Sequence, residues 1–112
     1  MEMQAPQLDA AFFALSDPTR RAILARLTAG EATVSELAAP FDLSQPTVSK
    51  HLKVLEKAGL IEGGRDAQRR PRKLVPQAMK HLADWIDLFR RDWEQRFDNL
   101  ESHVLSNRNG EK

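Results

Sequence analysis

A mainly α-helical fold carrying one small β-hairpin is predicted by three observations on these 112 residues. Apolar residues recur at spacings of three and four through most of the chain, the period of helices with one buried face. Ser, Thr, Asp, Pro and Gly stand where those helical patterns start and stop. Only between Leu60 and Val75 does the pattern change, to an apolar run, two glycines, a basic loop and a second, alternating run, as in a hairpin.

The first helix spans Leu8 to Leu15, with Leu8, Ala11, Phe12 and Leu15 at helical spacing. Asp17 caps the second, Pro18 takes its first position, and Ile23, Leu24 and Leu27 form its inner face before Thr28-Ala29-Gly30 ends it. Thr33 with Glu36 makes a capping box that opens a short third helix from Val34 through Phe41, burying Leu37, Ala38 and Phe41. After Asp42-Leu43, Ser44 caps a fourth helix with Pro46 in its first turn and Gly59 at the left-handed position beyond its end. Val48, Leu52 and Leu55 share its inner face, while Pro46, Lys50, Lys53 and Lys57, flanked by Thr47 and Ser49, occupy the other. Two helices joined by a short turn, the second with a cationic outer face, compose a helix-turn-helix. The plain alternative is a helical hairpin with a solvated lysine stripe.

Leu60-Ile61-Glu62 begins the hairpin, near 60–75, and Arg70 to Val75 returns as its second strand, with Arg70, Arg72 and Leu74 on one face. Pro71 has no N–H for a ladder and must lie at an edge or bulge. This hairpin is a wing with Arg65, Arg69, Arg70 and Arg72 around its tip, suited to phosphate contact or minor-groove insertion. A long helix follows Pro76, from about Gln77 to about Leu105, with Leu82, Ile86, Phe89, Trp93, Leu100 and Val104 on one seam and Phe97 alongside. At ~1.5 Å per residue it is about 43 Å long, more than one small domain covers. Pairing with a second copy, through this helix and through Leu8 and Phe12 of the first, would bury the excess. The expected organisation is a single domain over 1–112: a DNA-binding core at 8–76, a dimerisation helix at 77–105 and a polar tail at 106–112.

Net charge is only +1, but the charge is polarised. Between Ser44 and Lys73 stand eight basic and three acidic residues, which leaves the rest of the chain at −4. Such polarity turns one side of a molecule toward a polyanion. The chain has no cysteine, which excludes disulfides, thiol nucleophiles and thiolate metal sites. No apolar run approaches the ~20 residues that span a bilayer. The N-terminus lacks the basic and apolar regions of a signal peptide, so a cytoplasmic location and no membrane partner are expected. No phosphate-cradling glycine loop or acid/base pair supports an enzyme.

Three blocks, Leu15 to Leu24 (LSDPTRRAIL), Leu43 to Leu55 (LSQPTVSKHLKVL) and Ala58 to Ile61 (AGLI), resemble the ArsR-type winged helix-turn-helix transcriptional repressors. The resemblance covers nearly the whole chain and implies a homodimer, joined through its first and last helices, that binds a near-palindromic operator. By position it assigns Gln45, Thr47, Ser49, Lys50 and His51 to the DNA-facing side of the recognition helix. Gln45 can pair with adenine N6 and N7, Thr47 and Ser49 can reach bases or phosphates, and Lys50 and Lys53 suit phosphates. His51 borders the buried stripe, leaving base reading and packing both open. Arg20 matches a family position that could meet a phosphate or a surface carboxylate. Metal-sensing members use cysteines near the third helix or clustered Asp, His and Glu on the last. Here His81 and His103 lie 22 residues apart, so no metal or other cofactor is expected and any effector is unidentified. The competing reading is a winged helix used for protein contact without DNA.

Overall fold

The computed structural model describes residues 5–63 and 71–110, with side chains described as far as Leu105. Its elements are α1 (Ala5–Leu15), α2 (Pro18–Leu27), α3 (Val34–Ala38), α4 (Gln45–Lys57), β1 (Ile61–Glu62), β2 (Lys73–Leu74) and α5 (Pro76–Gly110). The mainly α-helical architecture with one hairpin matches the prediction. Several boundaries moved. α3 stops at Ala38 instead of Phe41, because Pro40 has no N–H to donate and disfavours helical backbone at the residue before it. α5 includes Pro76, whose missing N–H costs nothing at a first helical position, and continues past Leu105.

The chain divides into two compact units, 1–82 and 83–112. The core of the first lies beneath α4, which contacts α1, α2, α3 and β1. Ile23, Leu37, Val48, Leu52, Leu55 and Leu60 are its largest fully buried side chains. Burying each contributes roughly 1.5–3 kcal/mol, so the stripe on α4 holds that helix in place more strongly than its caps do. Leu82, expected in the dimer seam, is instead 6% exposed and belongs to this core. The first turns of α5, with Ala78 and Met79, lie against their own chain.

β1 and β2 pair antiparallel, with Ile61 opposite Leu74 and Glu62 opposite Lys73. A partner that the periodicity did not reveal lies on the other side: Ala32 bridges Arg72, exchanging N–H···O bonds of 3.0 and 2.7 Å. The second strand is only Lys73–Leu74, and Pro71 lies outside it, as its missing donor requires. The wing tip, with Arg65, Arg69 and Arg70, falls outside the described residues.

In the second unit α5 runs with Ile86, Phe89, Trp93, Phe97, Leu100 and Val104 all substantially exposed. Trp85 packs on Phe89 with ring centroids 4.7 Å apart. Among the described residues no helix is long and apolar enough to cross a membrane.

Candidate nucleic-acid interface

α4 is defined at both ends by its own sequence. The Ser44 hydroxyl accepts from the Thr47 N–H at 3.3 Å, and Pro46 sits where an N–H would go unused. At the other end Gly59 adopts φ +76°, which L side chains rarely tolerate. Gly59 N–H donates to Glu56 O at 2.9 Å and Leu60 N–H to Leu55 O at 3.1 Å, the two bonds of a Schellman motif. Leu60 is fully buried, so the helix ends on a packed residue.

The outer face follows from that placement. Gln45, Pro46, Thr47, Lys50, Lys53 and Lys57 are exposed, and Ser49 is half-buried. Gln45, Pro46, Ser49, Lys50 and Lys53 line an open hollow together with Val34 at the start of α3. The structure thus brings Gln45, Ser49, Lys50 and Lys53 together as the sequence implied, with Thr47 beside Ser44 at the helix start. An amide, hydroxyls and ammonium groups on one accessible face can donate to phosphate oxygens and base edges.

His51 lies behind this face. Its Nδ1 is 3.2 Å from Arg20 Nη1 and 3.9 Å from Asp17 Oδ2. A guanidinium only donates, so Nδ1 is the acceptor in this contact and neutral His51 carries its proton on Nε2. Of the two roles left open for His51, the packing role is the one its surroundings favour. Arg20 is also not the surface group its position suggested. It is 8% exposed, its Nε donates to Ala14 O at 2.7 Å and its Nη2 to Phe13 O at 3.1 Å, with the Phe13 ring 5.2 Å from the guanidinium carbon. Those carbonyls end α1 and have no partner within their helix, so Arg20 joins the end of α1, the start of α2 and the back of α4. The sequence offered no signal for this beyond an arginine two positions after an N-terminal proline.

Arg72 requires a second correction. The expected DNA contact is 3% exposed, and its Nε donates to Glu56 Oε1 at 2.8 Å. A buried, paired guanidinium is not presented to a phosphate. The alternation of the strand did carry the clue, since Arg72 shares a face with the half-buried Leu74.

Two carboxylates at helix starts are held below the usual range. The Arg20 N–H, accepted at 3.1 Å, is the main cause for Asp17, with the charge of Arg20 adding to it. For Glu36 the main cause is the Thr33 N–H at 3.0 Å, with the Thr33 hydroxyl next, completing the capping box.

Of the expected pairing residues in the first unit, Leu8 is partly buried against the core and Phe12 is 39% exposed. The neighbouring Phe13, which the periodicity did not single out, is 63% exposed.

Residues 15–63 match a family described as a helix-turn-helix domain. The chain is 43% identical over 81 residues to the HTH-type transcriptional regulator Rv2034 of Mycobacterium tuberculosis, covering 72% of this chain and 76% of that protein. It is 41% identical over 75 residues to the transcriptional repressor SdpR of Bacillus subtilis, covering 67% and 83%. Among solved structures, an ArsR family transcriptional regulator superposes with a TM-score of 0.72 at 39% identity, covering 84% of this chain and 97% of that one. A possible transcriptional regulator for arsenical resistance superposes at 0.64 with 38% identity, covering 86% and 93%.

Proposed function

Since this chain belongs to the ArsR family of helix-turn-helix transcriptional regulators, we propose that it represses transcription as a homodimer bound to a near-palindromic operator. It is a DNA-binding regulator, not an enzyme, and the protein-contact alternative has no observation in its favour. The feature that carries the reading is the exposed face of α4, where Gln45, Thr47, Lys50 and Lys53 project from a helix anchored by the buried Val48, Leu52 and Leu55.

In this reading two copies of α4 enter successive major grooves about 34–36 Å apart. Gln45 and Thr47, at the N-terminal end, meet base edges, with Ser49 between base and backbone. Lys50 and Lys53 neutralise phosphates, and Arg65, Arg69 and Arg70 of the wing meet phosphate or the adjacent minor groove. His51 contributes by positioning α4. The dimer forms through Leu8 and Phe12 of α1 and the face of α5 that includes Ile86, Phe89, Trp93, Phe97, Leu100 and Val104. The division of labour is then a DNA-binding core over 8–76 and a pairing helix over 77–105, in a cytoplasmic protein. An effector that releases the operator is not assigned.

The test is selection from a randomised duplex pool. A near-palindrome with half-sites about one helical turn apart is expected, and Gln45→Ala should relax preference at one position in each half-site. Recovery of a single asymmetric half-site would contradict the dimeric reading.

A further inference from the structure

Among the described residues, Arg72 ties the base of the wing to the last turn of α4. Its backbone pairs with Ala32, immediately before the Thr33 cap of α3. Its buried side chain reaches Glu56 in the last turn of α4 at 2.8 Å. On the way it crosses Gly63, the residue that follows β1. A Cβ at Gly63 would overlap Arg72 Cδ and stand 2.6 Å from Nε. The backbone of Gly63 is not in the left-handed region, so its want of a side chain is explained by that crossing and not by φ. The Glu62–Lys73 ion pair, which joins the two strands, is more than half exposed on both sides and holds little by comparison.

We propose that Arg72 and Glu56 are positioning residues for DNA binding: their ion pair, admitted by Gly63, sets the angle between the recognition helix and the base of the wing. One guanidinium holds both roots of the hairpin, Gly63 by contact and Pro71 through the chain. It ties them to the C-terminal turn of the helix whose N-terminal end meets the bases. The last turn of α4 and both roots of the hairpin therefore move as one body. Without the pair α4 keeps its buried stripe and its cationic face, but operator contacts beside the recognition helix lose their fixed distance from it. The inference rests on the DNA-binding reading above and adds to it a pair that touches no DNA.

The experiment is a mutant cycle on full-length protein, with the duplex that the wild-type chain selects from a randomised pool as probe. Affinity and the length of the protected footprint are both measured. Gly63→Ala, which changes no charge, should weaken binding roughly five- to tenfold and shorten protection at the operator flanks while sparing its centre. In an Arg72→Ala background the same change should have almost no further effect, because the side chain it displaces is gone. Glu56→Gln should stay near wild type, since its carbonyl still accepts the Nε–H, whereas Glu56→Ala should match Gly63→Ala. If Arg72→Ala fails to fold by circular dichroism, the cycle is run in the Glu56→Ala background with the same expectation. Additive effects, or a full-length footprint in Gly63→Ala, would overturn the inference while wild-type binding left the functional reading standing. A wild-type chain that binds no duplex would overturn both.

Discussion

Arg20 concentrates more of the molecule's organisation in one side chain than any residue on the DNA-facing surface. Its three kinds of nitrogen serve Ala14 O, Phe13 O and His51 Nδ1 at 2.7, 3.1 and 3.2 Å, and its backbone N–H serves Asp17. A planar fork fits that spread of acceptors, and a lysine ammonium does not. Arg20→Ala should therefore destabilise the fold by about 2–4 kcal/mol in urea denaturation, because the buried Ala14 O loses its donor and the bonds to Phe13 O and His51 go with it. Arg20→Lys should recover less than half. A stable Arg20→Ala protein that loses DNA affinity alone would return Arg20 to the phosphate role its position suggested. Burial was hard to read at this residue, and at Arg72, because arginine is a surface residue by default. What places both inside is a set of acceptors outside their own elements, the carbonyls that end α1 and His51 for Arg20 and Glu56 for Arg72. Lys50 and Lys53 were legible for the opposite reason, since their exposure follows from the helical period of their own neighbours.

At the scale of elements, the helices were legible wherever their limits were local. Ser44, Asp17 and Thr33 cap the helices that their chemistry announced, and Gly59 ends α4. Nothing lies within 4 Å of where a Cβ at Gly59 would stand, so its requirement is purely conformational. Gly59→Ala should cost about 1–2 kcal/mol, measured as a lowered urea midpoint with unchanged slope. The caps also fix the response to acid. Asp17 and Glu36 titrate below their ordinary values when folded, so the unfolded chain binds protons more readily. Their contribution is complete above the ordinary carboxylate range of about pH 4 and is lost as pH falls through the lowered folded values. Replacing both carboxylates by amides, Asp17→Asn together with Glu36→Gln, should flatten the fall in urea midpoint between about pH 5 and pH 3. An unchanged acid limb would show that other carboxylates control it. The wing was harder to read than the helices because a strand's partners are non-local. No periodicity near Ala32 marks it as a neighbour of Arg72.

For the whole molecule, the charge imbalance and the apolar seam answer different needs. A near-neutral total of +1 conceals a net +5 between Ser44 and Lys73. That asymmetry steers a polyanion to α4 and the wing, while the acidic remainder limits indiscriminate binding. The exposed seam on α5 is a surface a soluble monomer rarely retains, and pairing it duplicates α4 by symmetry. In the proposed dimer, that duplication would turn a modest cationic face into a reader of two half-sites. Equilibrium binding to a selected duplex across a range of salt concentrations, for the wild type and Lys50→Ala, tests the role of that face most directly. The logarithm of the wild-type association constant should fall linearly and steeply with the logarithm of salt, because phosphate contacts release counterions. Lys50→Ala should weaken binding and make that slope shallower by about 0.9 for each copy of α4 in the complex. A slope near zero, or one that Lys50→Ala leaves unchanged, would contradict the assignment of the α4 face to DNA.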